Sequence, residues 1–257
     1  YTYSDNDVLC VWTSNPNNVQ DSFPSNDTLC FTVKEAMGGT YTIGGTSPDF
    51  STIDSAMTEL SDRGVCSAVV FQIRPGTYNE QIMLGSILGI SAQNTVTFMP
   101  DTGGAVSIEH SASGLTDNYV VKLDGASYIK FMDLTFKPNG TSYSTALEMS
   151  GGASNNTFMN CLFDGNTTTT GTYTRVIYAQ SADNNNNHFE NNTISGGYYG
   201  IYFYGGGQTA TNDGNEFIGN EFVDQYYRGC YFYYSSNMKF NYNTMESSRN
   251  YSSMYGV

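Results

Sequence analysis

The chain has 257 residues, with 10 Lys and Arg against 24 Asp and Glu and a formal net charge of −14. So few cations exclude the basic footprint of a nucleic-acid-binding domain, and the acidic balance disfavours an anionic polymer as ligand unless Ca²⁺ bridges it. No apolar run approaches the roughly 18 residues of a membrane span, and a composition with 27 Gly and 21 Tyr suits many short strands and tight turns better than helices. The chain starts at Tyr1 and stops at Gly256-Val257, which reads as the opening of a strand. Both ends are expected to be internal to a larger secreted protein.

Residues 1–35 are predicted to form a hairpin. Val8–Trp12 and Leu29–Val33 read as strands, separated by a polar, Pro- and Asn-rich loop. The phrase Val11-Trp12-Thr13-Ser14, followed by Asn17–Asp21 and Asn26-Asp27-Thr28, resembles the last two strands of Ig-like adhesion modules of large bacterial surface proteins. That resemblance implies that β-sandwich modules precede this chain. Five cysteines are present. Cys10 and Cys30 sit in similar frames and can bridge adjacent strands, with Cys30–Cys66 a live alternative, since sequence does not fix the connectivity. Cys161 and Cys230 fall at inward strand positions and read as core filler. Without a Cys-x-x-Cys motif or a His/Cys cluster, a structural zinc is not expected.

Residues 36–110 open with a glycine-bounded strand, Gly38–Gly45, and then a helix. Ile53, Ala56, Met57 and Leu60 recur at i, i+3, i+4 and i+7, giving one apolar face. Ser51 is the expected N-cap with Asp54 as its capping-box partner, and Gly64 the expected stop. Strands follow at Ala68–Ile73, Thr95–Phe98 and Ala105–Ile108, with a turn at Arg74–Thr77. A lone amphipathic helix before a run of short strands suits the exposed first coil of a solenoid.

Residues 119–257 contain an internal repeat. Phe131, Phe158, Phe189, Phe217 and Phe240 recur at spacings of 27, 31, 28 and 23 residues. Five positions after each stands a large apolar residue: Phe136, Phe163, Ile194, Phe222 and Met245. Three positions after stand Leu134, Cys161, Asn192, Asn220 and Asn243; two positions before stand Ile129, Asn156, Asn187, Asn215 and Met238. Each spacing is one coil. Parallel coils stack like on like at about 4.8 Å, so Phe over Phe fills a continuous core and Asn over Asn forms an amide ladder. The fold expected for residues 36–257 is an all-β, right-handed, single-stranded parallel β-helix with one N-terminal capping helix, truncated at its C-terminus.

Residues 41–136 resemble the N-terminal half of pectin methylesterase-like and pectate-lyase-like β-helix proteins through three stretches: Asp49–Ala56, Val70–Glu80 and Tyr128–Phe136. With Gly38–Gly44 ahead of them, the same stretches also look like β-helix regions of giant surface adhesins from gliding-type, Bacteroidetes-like bacteria. The esterase resemblance implies a Gly-Tyr-Gln-Asp-Thr-Leu phrase after its Cys-x-Phe-x-Gly strand. Here Cys161-Leu162-Phe163-Asp164-Gly165 is followed by Asn166-Thr167-Thr168-Thr169-Thr170. Its later Asp-Phe-Ile-Phe-Gly phrase is met by Gly200-Ile201-Tyr202-Phe203-Tyr204-Gly205, without the Asp. The fold carries over and the catalytic carboxylates do not, so no catalytic residue is assigned.

Other chemistry finds thin support. Asp133, Asp164, Asp183, Asp213 and Asp224 do not share one repeat position, unlike the carboxylate pair of a glycosidase. Arg175 and Arg228, with Asp224 near the latter, are a weak lyase pattern, and His110 and His188 lack a nucleophile beside them. No metal ligand or cofactor is assigned, although Asp5-Asn6-Asp7 and Asn212-Asp213-Gly214-Asn215 offer oxygens suited to Ca²⁺. The strongest candidate surface is aromatic. Strand alternation turns Ile201, Phe203, Cys230 and Phe232 inward and Tyr202, Tyr204, Tyr231 and Tyr233 outward, with Tyr178 extending the first row. Tyr presents an apolar face and a polar tip, a combination suited to sugars. The expected function is carbohydrate binding on these rows, by a non-catalytic segment of a secreted, cell-surface, multi-domain adhesin. The expected partners are an extracellular, preferentially neutral glycan and flanking domains of the same polypeptide. A polysaccharide-active lyase or esterase and a structural spacer are the alternatives.

Overall fold

The computed structural model describes residues 7–14, 25, 27–181, 183–209 and 211–249. It is a right-handed parallel β-helix. Three parallel sheets of eight, seven and six strands run along its axis, each stacking its strands in chain order. The repeat sets the register. In the eight-stranded sheet Phe71, Phe98, Phe131, Phe158, Phe189, Phe217 and Phe240 lie directly over one another. From Phe71 to Phe217 the rings stack with centroids 5.0, 5.1, 5.5, 4.7 and 4.8 Å apart. The spacing reflects the coil rise, and each pair adds about 0.5–1.5 kcal/mol beyond its buried area. The column extends two coils further toward the N-terminus than the sequence repeat indicates. Phe136, Phe163, Ile194, Phe222 and Met245 stack likewise in the seven-stranded sheet.

Two columns of left-handed residues turn the chain between sheets. Asp133, Asn160, Asn191, Gly219 and Tyr242 have φ of 56, 54, 54, 66 and 59°, and Tyr128, Asn155, Asn186, Gly214 and Asn237 have 58, 59, 54, 65 and 50°. Asn and Asp tolerate this region better than other side-chain-bearing residues. The residue after each turn points inward. There the expected ladder forms: Asn192 Nδ2 donates to Asn220 Oδ1 at 2.9 Å, and Asn220 Nδ2 to Asn243 Oδ1 at 3.0 Å. A second ladder, Asn156–Asn187–Asn215, has the same geometry at 3.1 and 3.0 Å. Each amide also serves the backbone. The Cys161 N–H donates to Asn192 Oδ1 at 2.8 Å, and Asn192 Nδ2 to the Phe158 carbonyl at 3.0 Å. Buried peptide groups that a turn would orphan are thereby satisfied.

The helix Ile53–Arg63 closes the first coils with Ile53, Ala56, Met57 and Leu60 buried. Its N-cap is Thr52, not Ser51, and the capping-box partner is Ser55, not Asp54. Thr52 is the last extended residue (φ −135°, ψ 161°), so its hydroxyl, rather than Ser51's, reaches the third helical N–H. The Ile53 and Asp54 N–H groups donate instead to the Glu80 carboxylate, at 3.2 and 2.8 Å, a long-range anion at the positive end of the helix. Gly64 ends the helix as expected, at φ 64°; a Cβ there would lie 2.6 Å from the Leu88 carbonyl oxygen.

Val8–Trp12 and Thr28–Thr32 form an antiparallel hairpin, with Cys10 opposite Cys30 and joined to it by a disulfide. Cys66 is a free thiol, which removes the Cys30–Cys66 alternative. Among the described residues no helix is long and apolar enough to cross a membrane.

Candidate functional site

The six-stranded sheet carries the tyrosine rows. Its alternation is as expected: Ile201 and Phe203 are fully buried, while Tyr202 and Tyr204 are half-buried and face out. Cys230 is likewise buried and Phe232 partly buried, with Tyr231 and Tyr233 outward. Register places Tyr178 beside Tyr202 and Tyr202 beside Tyr231, and Gln180 beside Tyr204 and Tyr204 beside Tyr233. The Tyr202 and Tyr231 rings stack at 4.9 Å and 24°, and those of Tyr204 and Tyr233 at 5.3 Å and 21°. Tyr178 meets Tyr202 at 5.8 Å with a 51° tilt.

Within each strand the paired rings are almost parallel, at 12° for Tyr202–Tyr204 and 9° for Tyr231–Tyr233. The four rings therefore make a two-by-two array whose faces oppose one another along the axis. Ring edges and hydroxyls are what the array turns outward. Burial pushes the Tyr178, Tyr199 and Tyr202 phenols above their usual pKa, so all three remain neutral hydrogen-bonding groups.

Sequence reasoning attached Arg175 and Arg228 to a weak lyase pattern. Coil stacking puts them on this aromatic surface instead, in register on either side of Tyr199. The Arg175 guanidinium lies over Tyr178 at 4.3 Å and Tyr202 at 5.0 Å, and that of Arg228 over Tyr231 at 5.0 Å and Tyr227 at 5.1 Å. Arg175, Tyr178, Gln180, Tyr202 and Tyr204 line a cleft of about 280 Å³. A second hollow of about 270 Å³ shares Arg175, Tyr178 and Gln180 and adds Leu115, Asn118, Glu148 and Tyr173. The one carboxylate on these walls, Glu148, is held by Lys122 at 2.8 Å.

The other candidates do not converge. Asp133, Asp183 and Asp224 occupy left-handed turns. Asp213 accepts from Ser236 and Asn237, both at 2.7 Å. In the Asn212–Asn215 tetrapeptide, the Asn212 and Asn215 amide oxygens point inward and accept from Asn184 and Asn187. Turn and ladder chemistry thus account for that segment. Asp5 and Asn6 lie outside the described residues. Among the described residues no group of three His, Cys, Asp or Glu side chains is placed to hold a metal ion.

Stacking also builds a cluster that linear reading missed. His188 on the eight-stranded sheet lies 3.0 Å from Glu190 and 3.3 Å from Glu216, and Glu216 is hydrogen-bonded by Lys239. His188, Glu216 and Lys239 occupy one register column, which the repeat alignment contains but which an isolated His does not advertise.

The family described as "Right handed beta helix region" matches residues 91–256. No curated protein sequence matches the chain. Among solved structures, pectin methylesterase PemA from Erwinia chrysanthemi is similar, with 17% identity and a TM-score of 0.52 over 75% of this chain and 56% of that one. A pectin methylesterase mutant in complex with hexasaccharide IV is similar at 16% identity, with the same TM-score and coverage. This chain thus spans little more than half the length of those enzymes, and the likeness at such identities is one of fold alone. The match to the family over most of the chain is the firmer finding: the protein belongs to the right-handed β-helix family.

Proposed function

We propose that this chain is a non-catalytic β-helix segment of a secreted, multi-domain surface adhesin, and that it binds carbohydrate on the outer face of its six-stranded sheet. The observation that carries the reading is the in-register rows Tyr178–Tyr202–Tyr231 and Tyr204–Tyr233 opening onto the Arg175 cleft. Phenol hydroxyls and ring edges repeated once per coil offer a glycan many weak contacts, and affinity sums along the chain. The Cys10–Cys30 disulfide supports an oxidising, extracellular setting. The exposed apolar side chains of the hairpin, among them Trp12 at 69% and Leu29 at 64%, support a flanking module of the same polypeptide as neighbour. A glycan array probed with the purified chain tests the reading. Retention of a defined set of glycans is expected, and an array without retention contradicts it.

The second reading is a polysaccharide-active enzyme, and the observation that favours it is His188 held between Glu190 and Glu216. The missing esterase phrases lead to the opposite expectation, that esterified pectin incubated with the chain releases no methanol. Methanol release would favour the enzyme.

A further inference from the structure

The acidic balance of the whole chain points to a neutral ligand, but the charge of the cleft differs from that of the molecule. Ten Lys and Arg serve 257 residues, and Arg175 lines the cleft at the edge of the tyrosine rows. Among the described residues no carboxylate pairs with it; its aromatic neighbours are Tyr173, Tyr178 and Tyr202. Its Nε–H donates to the Thr172 carbonyl at 3.1 Å, which fixes the plane of the guanidinium. A guanidinium has five N–H donors in a planar fork. One is used by Thr172, the Tyr178 hydroxyl also engages the side chain, and Arg175 lines both hollows. Stacking on two rings holds the fork in place before any ligand arrives, so little side-chain entropy is lost on binding. Glu148, the one acidic wall residue, is already neutralised by Lys122.

We infer that the Arg175 cleft takes a single oxyanion substituent, a carboxylate or a sulfate ester, carried on an otherwise neutral glycan. The inference rests on the carbohydrate-binding reading and refines the neutral ligand expected from bulk charge. One cation held in place favours one anion at short range. The net charge of −14 opposes a densely charged polymer at longer range. A sparsely acidic chain satisfies both conditions: its anionic sugar enters the fork, and its neutral neighbours lie along the hydroxyls of Tyr202 and Tyr204. Gln180, whose side-chain oxygen accepts from the Tyr178 hydroxyl, lines the same cleft.

The test uses the whole chain on an array of matched glycans: neutral, with one carboxylate, with one sulfate, and densely anionic. Singly acidic members are expected to be retained about tenfold or more over their neutral counterparts, the scale of one charge-assisted pair. Arg175→Gln should remove that preference and leave retention of neutral members. Arg175→Lys, which keeps the charge without the fork, should restore part of it. Lys137→Gln, on the seven-stranded sheet away from the tyrosine rows, should leave it intact. Far-UV circular dichroism confirms that each variant is folded. The carboxylate and sulfate arms identify which oxyanion is preferred. Equal retention of neutral and acidic members overturns the inference and leaves the carbohydrate-binding reading standing. Retention of nothing overturns both, and preferential retention of the densely anionic members overturns the single-anion form.

Discussion

The inner phenylalanine column and the outer tyrosine rows are built by the same register and differ in what surrounds them. Inside, Phe158, Phe189 and Phe217 stack at 4.7 and 4.8 Å and are fully buried. Outside, Tyr202 and Tyr231 stack at 4.9 Å, and Tyr233 is 43% exposed. Near-equal spacing in such different surroundings means that ring stacking follows from parallel coils a fixed rise apart, whatever the role of the ring. Stacking alone is therefore no argument for function. What distinguishes the outer face is what it leaves accessible: hydroxyls, ring edges and a guanidinium held flat at the wall of a cleft. A spacer would require only the stacking.

The comparison can be broken from the inside first. Phe189→Ala removes a ring from the middle of the column and should cost about 3–5 kcal/mol through lost transfer energy and the cavity left behind. Denaturant unfolding measures it, and a cost under about 1 kcal/mol would contradict the burial. Asn192→Leu fits the slot that Leu134 fills in an earlier coil but orphans the Cys161 N–H and takes the side-chain donor from the Phe158 carbonyl. At about 1–3 kcal/mol for an unsatisfied buried group, a loss of about 1–3 kcal/mol is expected. A neutral outcome would mean that the ladder is not needed to satisfy the turn backbone.

The outer rows should cost less. Removing both partners of a half-exposed stack, in Tyr202→Ala/Tyr231→Ala, forfeits about 0.5–1.5 kcal/mol of ring pairing together with some partly buried area. A loss as large as that of Phe189→Ala would make these rings structural. Smallest of all, Tyr242 occupies a left-handed turn at φ 59° while 89% exposed, in a column where Asn160 and Asn191 hold the same conformation. Tyr242→Asn should stabilise the fold by about 1 kcal/mol by relieving backbone strain. An unchanged midpoint would argue that the turn is less strained than its dihedral implies.

Much of this was legible in sequence because a solenoid writes its contacts as a period. The Phe column, the Asn192–Asn220–Asn243 ladder and the outward Tyr178, Tyr202, Tyr204, Tyr231 and Tyr233 all follow from one alignment of the chain on itself. Phe71 and Phe98 escaped it because Gly76 and Gly103 stand five positions after them, where later coils carry a large apolar residue. The N-cap fell one residue late because capping depends on where the extended backbone ends, which composition does not specify. The neighbours of Arg175 and His188 were not legible for a common reason. Their partners lie in strands that pair through space, so their chemistry emerges only once the coils are stacked.

The most direct test of the central claim, that the outer face binds glycan, is glycan retention by the folded Tyr202→Ala/Tyr231→Ala variant beside the unmodified chain. The account predicts an unchanged circular dichroism spectrum, a modest fall in melting temperature and loss of retention. Retention equal to that of the unmodified chain would contradict the placement of the site on these rows.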